Sequence, residues 1–135
     1  MILNKTTTYA IRVLIFMATD EREKFSAQYL YENLKISNRY LRRLMTDLTK
    51  HGFIASNRGR NGGFLFAREL DNLFLSEIIH KMEGPDLFQS CILGMKDCKL
   101  SPVCAMHEPW LEIRTKMMTT FSATSLQQIR NSNKK

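Results

Sequence analysis

The sequence predicts a mainly α-helical protein with one small β-hairpin and a long helix near its C-terminus. Three observations predict it. Leu41, Leu44, Met45 and Leu48 recur at i, i+3, i+4 and i+7, the spacing of one buried helical face. Two short apolar runs, FIASN and FLF, flank the glycine-rich turn RGRNGG, the pattern of two strands joined by a flexible tip. Trp110, Ile113, Met117 and Phe121 follow Pro109 at spacings of three and four, and Pro109 suits the first turn of a helix.

The elements follow in order. Thr6 to Thr19 reads as a first helix, with Ala10, Val13, Leu14 and Met17 as its stripe and Ile11 and Ile15 widening it. Asp20 to Lys24 is a charged turn. Ser26 can cap a short second helix whose inward face is Ala27, Leu30, Tyr31 and Leu34. Ile36 sits in the tight connection and is expected to plug the angle before the third helix. Ser37 caps that helix with its hydroxyl, and Gly52 ends it by tolerating a left-handed conformation. Short helix, tight turn and basic helix make a helix-turn-helix, and the hairpin makes a wing. After the polar connection Arg68–Asn72, Leu75–Met82 reads as a helix with Ile78, Ile79 and Met82 inward, stopped by Gly84-Pro85. From Asp86 to Cys104 the period is lost. The helix starting near His107 adds Leu111 and Met118 to its apolar surface, more than a small monomer exposes, which points to dimerisation. Ser122–Ile129 reads as a last short helix and Asn131–Lys135 as a frayed end.

The chain has 135 residues and a net charge of +7. Residues 1–70 hold 12 Lys and Arg against 6 Asp and Glu, net +6, while residues 71–135 hold 8 against 7, net +1. The basic character therefore belongs to the helix-turn-helix and its wing, and it points to a polyanionic partner. No apolar run approaches the ~18 residues of a membrane helix. The apolar N-terminus contains Arg12 and lacks a small-residue cleavage site, so it does not read as a targeting segment. GRNGG lies in a hairpin, not before a helix, so it is no phosphate loop, and paired carboxylates in an apolar setting are absent.

All three cysteines fall in the irregular stretch, where Cys91, Cys98, Cys104 and His107 give C-x6-C-x5-C-x2-H. An odd number of cysteines without an export signal fits a reducing compartment, where thiols serve metal or redox chemistry. Three thiolates and an imidazole satisfy zinc, although the spacings are wider than a zinc knuckle. They equally satisfy an iron–sulfur cluster, which a loop can wrap. Small buried cysteines in a packed loop are the plainer alternative. His51 and His80 have no such neighbours; the first reads as a helix-end residue and the second as a surface or packing residue.

The chain resembles the Rrf-type winged helix-turn-helix regulators. The resemblance begins at TTTYAIRVLIFMA and is most specific in ISNRYLRRLMTDLTKHGFIASNRGRNGGF. It continues through LSEIIHKMEG and the cysteine loop to TSLQQIR. It implies a transcriptional regulator with Cys91, Cys98 and Cys104 as cluster ligands and His107 where 2Fe–2S members carry a histidine. The first cysteine gap is one residue longer than the usual x5. Thr8 stands near where nitric-oxide-sensing members supply a carboxylate from the partner subunit, which favours His107 and a 2Fe–2S cluster, with 4Fe–4S as the other option. Arg42 stands where iron–sulfur members carry a glutamate that tunes operator choice, which implies a different operator.

The resulting reading is a cytoplasmic homodimeric regulator, expected to be a repressor, with no enzymatic activity, no membrane and no small-molecule substrate. Residues 1–83 form the DNA-binding domain, 84–106 the cluster loop, and 107–135 the dimerisation helix and tail. Ser37, Asn38, Arg39, Tyr40, Arg42 and Arg43 present the third helix to the major groove of double-stranded DNA, with Tyr40 also holding that helix against the second. Arg58 and Arg60 put the wing on phosphate or in the minor groove. The rivals are a cluster-free regulator controlled by a protein or small molecule, and an iron–sulfur redox protein that binds no specific DNA.

Overall fold

The computed structural model describes residues 3–95 and 104–133. Its first helix, α1 (Lys5–Thr19), starts one residue before the expected Thr6 because Asn4 is the cap, its side chain accepting the Thr7 N–H at 2.8 Å. Ala10, Val13, Leu14, Met17 and Ala18 are buried along one stripe, and Ile11, Ile15 and Phe16 pack against the same core. Helices α2 (Ala27–Leu34) and α3 (Asn38–Lys50) are capped by Ser26 and Ser37, as their sequence positions predict. Ile36 is buried between them. The turn is tight because Lys35 adopts a left-handed conformation (φ +58°), unusual for a residue with a side chain.

Tyr31 departs from expectation. It is 38% exposed, and the inward arc of α2 is Leu30 and Leu34. The aromatic that packs is Tyr29, stacked on Phe25 and tilted against Phe16. The reason is tertiary: Phe25 is fixed beside the wing, so aromatic contact is available on the Tyr29 side of α2.

In α3 the predicted stripe of Leu41, Leu44, Met45 and Leu48 is buried. The helix ends as Gly52 predicts. Gly52 (φ +81°) donates its N–H to the Thr49 carbonyl, and Phe53 donates to the Leu48 carbonyl, which together form a Schellman motif. Strands β1 (Ile54–Asn57) and β2 (Gly63–Phe66) pair antiparallel, with Ile54 opposite Phe66 and Asn57 opposite Gly63. A third segment joins them. Phe25 and Phe64 exchange backbone hydrogen bonds at 2.8 and 2.7 Å, stitching the outer edge of the hairpin to the turn after α1.

The polar connection contains a 3-10 turn, Leu70–Asn72, held by Arg68, which pairs with Glu77 at 2.6 Å and donates to the Asn72 carbonyl. Glu77 also keeps the Arg68 guanidinium above its ordinary pKa. Helix α4 (Leu75–Glu83) buries Ile78 and Ile79, with Met82 half-buried on the core. Gly84 (φ +89°) caps it, and Pro85–Phe88 is a 3-10 turn inside a stretch whose sequence has no period. Among the described residues no helix is long and apolar enough to cross a membrane.

The C-terminal elements differ from expectation by a few residues. Helix α5 (His107–Ala123) runs through the expected start of the last helix, and α6 is Leu126–Asn133, not Ser122–Ile129. The break falls where Thr124 becomes extended and Ser125 bridges Phe74, with Leu75 donating to the Thr124 carbonyl and Leu126 to the Leu73 carbonyl. Ser125 and Gln128 then form a reciprocal capping box at 2.7 and 3.2 Å. Residues 131–133, expected to fray, stay helical because Leu126 is buried and Ile129 packs on the core with α1.

Gly63 is the point where the wing closes on the turn after α1. Its φ is +153°, and an added Cβ would lie 2.7 Å from the Phe25 carbonyl oxygen. Gly63→Ala should therefore destabilise the protein by about 1–3 kcal/mol, the range for strained backbone positions. Urea unfolding should show a lower midpoint at an unchanged slope.

Candidate nucleic-acid interface and cysteine loop

The outer face of α3 is polar for the same reason that its inner face is buried: a 3.6-residue period leaves Asn38, Arg39, Arg42 and Arg43 off the apolar stripe, and all four are exposed. Asn38, Arg39 and Arg42 share the N-terminal part of this face, and Arg43 is turned toward a flank. The Ser37 hydroxyl is engaged by the Tyr40 N–H. Tyr40 is half-buried and fastens α3 to α1, not to α2 as expected. Its hydroxyl lies 2.8 Å from Thr6 Oγ1, and its ring meets Tyr9 edge-on at 5.5 Å.

The wing tip holds Arg58 and Arg60, both exposed. Gly59 (φ +108°) and Gly62 make the tip possible. Gly62 donates to the Gly59 carbonyl, and a Cβ on Gly62 would strike the Asn57 and Gly59 carbonyl oxygens. Arg68 is paired with Glu77, whereas among the described residues Arg39, Arg42, Arg43, Arg58 and Arg60 have no acidic partner. Their charge is thus presented to solvent from one helix face and one hairpin tip.

Lys24 was not singled out by sequence, yet it belongs to the wing. Its Cγ lies 3.2 Å from where a Gly63 Cβ would stand. Nothing in the local spacing signals this, because the Phe25–Phe64 pairing that brings Lys24 there is long-range.

The cysteine loop leaves α4 at Gly84 and rejoins helix at α5. Cys91 is a half-buried free thiol at the start of a turn. Its carbonyl accepts the Gly94 N–H at 3.0 Å and its Sγ accepts the Leu93 N–H at 3.3 Å. A cavity of about 570 Å³ opens beside it, lined by Asp86, Gln89, Ser90, Cys91, Gly94 and Met95. Cys104, also half-buried and free, precedes α5 by one turn, and its carbonyl accepts the His107 N–H at 3.0 Å. Cys98 lies outside the described residues. The buried Trp110 ring donates from Nε1 to the Ser90 carbonyl at 2.8 Å, and Arg114 adds a second donor at 3.2 Å. These bonds tie the residue before Cys91 to the first turns of α5.

Among the described residues no three His, Cys, Asp or Glu side chains gather around one point. The donor set of three thiols and an imidazole nevertheless fits an iron–sulfur cluster. The N–H aimed at Cys91 Sγ is the kind of contact that tunes cluster sulfurs. His51 leans on Phe53 and His80 is exposed, in keeping with their sequence reading.

The expected stripe on α5 divides. Trp110 is buried and Met117 and Phe121 are half-buried, whereas Ile113 is 48% exposed together with Leu111 and Met118. Thr115, Thr119, Thr120 and Thr124 each bond the carbonyl four residues back.

The family model described as "Rrf2: Iron-dependent Transcriptional regulator" matches residues 3–132. The HTH-type transcriptional regulator NsrR of Geobacillus kaustophilus is 31% identical over 138 residues, covering 98% of this chain and 93% of that protein. Among solved structures, CymR, the global cysteine regulator of B. subtilis, superposes with a TM-score of 0.79 at 24% identity over 96% of both chains. T. potens IscR superposes with a TM-score of 0.76 at 20% identity, over 97% of this chain and 87% of that one.

Trp110→Phe keeps the ring but removes the donor to Ser90. It should lower stability by about 0.5–1.5 kcal/mol, the net worth of one hydrogen bond. Cys91 in the metal-free protein should then react faster with a thiol reagent, as followed by absorbance. Equal rates in the two proteins would show that the bond does not hold the loop.

Proposed function

This chain belongs to the Rrf2 family of transcriptional regulators, and from that premise we propose that it is a cytoplasmic homodimer whose hold on a DNA operator is set by an iron–sulfur cluster in the cysteine loop. DNA-binding regulation comes with the family, and its relatives are regulators rather than enzymes. The redox-carrier rival is thereby set aside. The observation that carries the finer reading is the placement of Cys91 and Cys104 at the two ends of one loop whose start is pinned to α5 through Trp110 and Ser90.

In this reading residues 1–83 bind DNA, 84–106 form the cluster loop, and 107–135 form the dimerisation helix and tail. Asn38, Arg39 and Arg42 meet base edges in the major groove, the part of a recognition helix that enters deepest. The arginine fork can donate to two acceptors on one guanine edge. Arg43, Arg58, Arg60 and Lys24 meet phosphate, and Ser37 and Tyr40 set the start of α3. The exposed Leu111, Ile113 and Met118 of α5 support pairing with a second copy, which would present two heads to two half-sites.

Cys91, Cys98, Cys104 and His107 would hold the cluster, 2Fe–2S in preference to 4Fe–4S. When bound, it supplies a centre whose redox state and integrity respond to conditions. The loop connects α4, which packs in the DNA-binding domain, to α5. A change in loop conformation therefore bears on how each head sits relative to the dimer helix.

Anaerobic purification followed by iron, sulfide and absorption measurements tests the reading. Colourless protein without iron or sulfide would favour the rival, a cluster-free regulator controlled by a protein or small molecule. Cys98→Ala is expected to lose most iron and sulfide while remaining folded, and His107→Ala to shift the spectrum or shorten cluster retention. Full iron and sulfide in Cys98→Ala would refute the ligand set.

The arginines should divide their labour. Arg42→Ala should cost roughly 1–3 kcal/mol and relax preference at one operator position. Arg60→Ala should weaken all sequences alike and reduce the salt slope by about one unit. Binding of both variants to an operator library at two salt concentrations decides it. An even loss across the library for Arg42→Ala would make that residue a backbone contact.

A further inference from the structure

The first turn of α1 touches two places that matter to the reading above. On one side it meets Glu83, the last residue of α4 and the last before the loop that carries Cys91. The Glu83 carboxylate accepts the Asn4 backbone N–H at 2.6 Å on one oxygen and the Asn4 side-chain amide at 3.0 Å on the other. On the other side it meets Tyr40, in the first turn of α3 between Arg39 and Arg42, through the 2.8 Å bond to Thr6 Oγ1.

The turn between these two attachments is stiff. The Asn4 side-chain oxygen accepts the Thr7 N–H, and its carbonyl accepts both the Thr8 N–H and the Thr8 hydroxyl. Every polar group of Asn4 is engaged. Behind it Thr7 and Ala10 are fully buried, so the turn cannot shift without moving the core. The Glu83 grip is different. It is exposed to solvent, where water competes for the same donors, and the next residue is Gly84 at φ +89°. The contact nearest the cysteine loop is thus the one most easily released, and it acts on a rigid splint whose far side carries the reading helix. Glu83 suits the place for two reasons. A carboxylate at a helix N-terminus complements the helix dipole, and its two oxygens can grip both Asn4 donors, whereas a glutamine offers one acceptor.

We infer that Glu83 and Thr6 are positioning residues for DNA reading: through the first turn of α1 they couple the state of the cysteine loop to the N-terminal turn of α3. This rests on the proposal that the loop controls DNA binding, but its first test does not. Amide hydrogen exchange is measured on the full-length metal-free protein and on Glu83→Ala, Glu83→Gln and Thr6→Val. Exchange of the Leu41–Leu44 amides should rise several-fold in Glu83→Ala and Thr6→Val and less in Glu83→Gln, while the Leu48–Lys50 end of α3 keeps its wild-type rate. Wild-type exchange at Leu41–Leu44 in Glu83→Ala overturns the link, and so does a uniform rise along the whole chain.

The second test is operator affinity with the cluster present and after its removal. The ratio of the two should shrink by about threefold or more in Glu83→Ala, within the range that coupling mutations reach. An equal loss in both states means that Glu83 is merely structural. If the wild type itself binds equally well in both states, cluster control fails, and the exchange measurement still decides the link.

Discussion

Burial of the α1 stripe is the constraint on which the other parts depend. Ala10, Val13 and Leu14 are fully buried, and α3, α4 and α6 all lie against this helix. Each fully buried aliphatic side chain of this kind contributes roughly 1.5–3 kcal/mol relative to exposure, before the cost of ordering the chain. Because α1 is held in the centre, both ends of it become fixed points. Its N-terminal turn meets α3 through Tyr40 and α4 through Glu83. The turn after its C-terminus supplies Phe25, which completes the edge of the wing. Helix α3 and the hairpin therefore take their mutual orientation from the helix behind them rather than from the short link between them.

Electrostatics runs the other way. A fold selected for stability alone would pair its surface charges or alternate their signs. Among the described residues Arg39, Arg42, Arg43, Arg58 and Arg60 lack acidic partners, and the Arg68–Glu77 pair sits at the exit of the wing where it fixes backbone. Their mutual repulsion costs some stability in the free protein and is relieved by a polyanion. With these arginines on phosphate, as proposed, binding would depend strongly on salt, because each neutralised phosphate releases counterions.

Much of the fold was legible because it is local. The α3 stripe, the Ser26 and Ser37 caps, Ile36 in the turn and Gly52 after the helix are decided by residues within a few positions of one another. What misled was non-local. Tyr31 satisfies the helical period as well as Tyr29 does, and only the position of Phe25 decides between them. Lys24 reaches the wing through the same long-range pairing. The start of α6 is a different case, since the Ser125-to-Gln128 capping box is present in the sequence and marks the boundary, but Ser122 offers a competing start three residues earlier. The cysteines are visible at once as a cluster of residue types. Their placement in space depends on a loop with no period, and a period is what sequence reading rests on.

The threonines of α5 have a consequence of their own. Each of the four hydroxyls is turned inward onto its own helix, so the threonines near Leu111 and Met118 present methyl groups outward, with Glu112 and Lys116 as their charged neighbours. In the dimer proposed above, two such surfaces would meet with these hydroxyls already engaged and so with few directional bonds to lock their register, and methionine adapts its shape to what it meets. A seam of this kind would behave as a lubricated bearing, resisting separation by excluding water while letting the helices roll and slide past each other at small energetic cost.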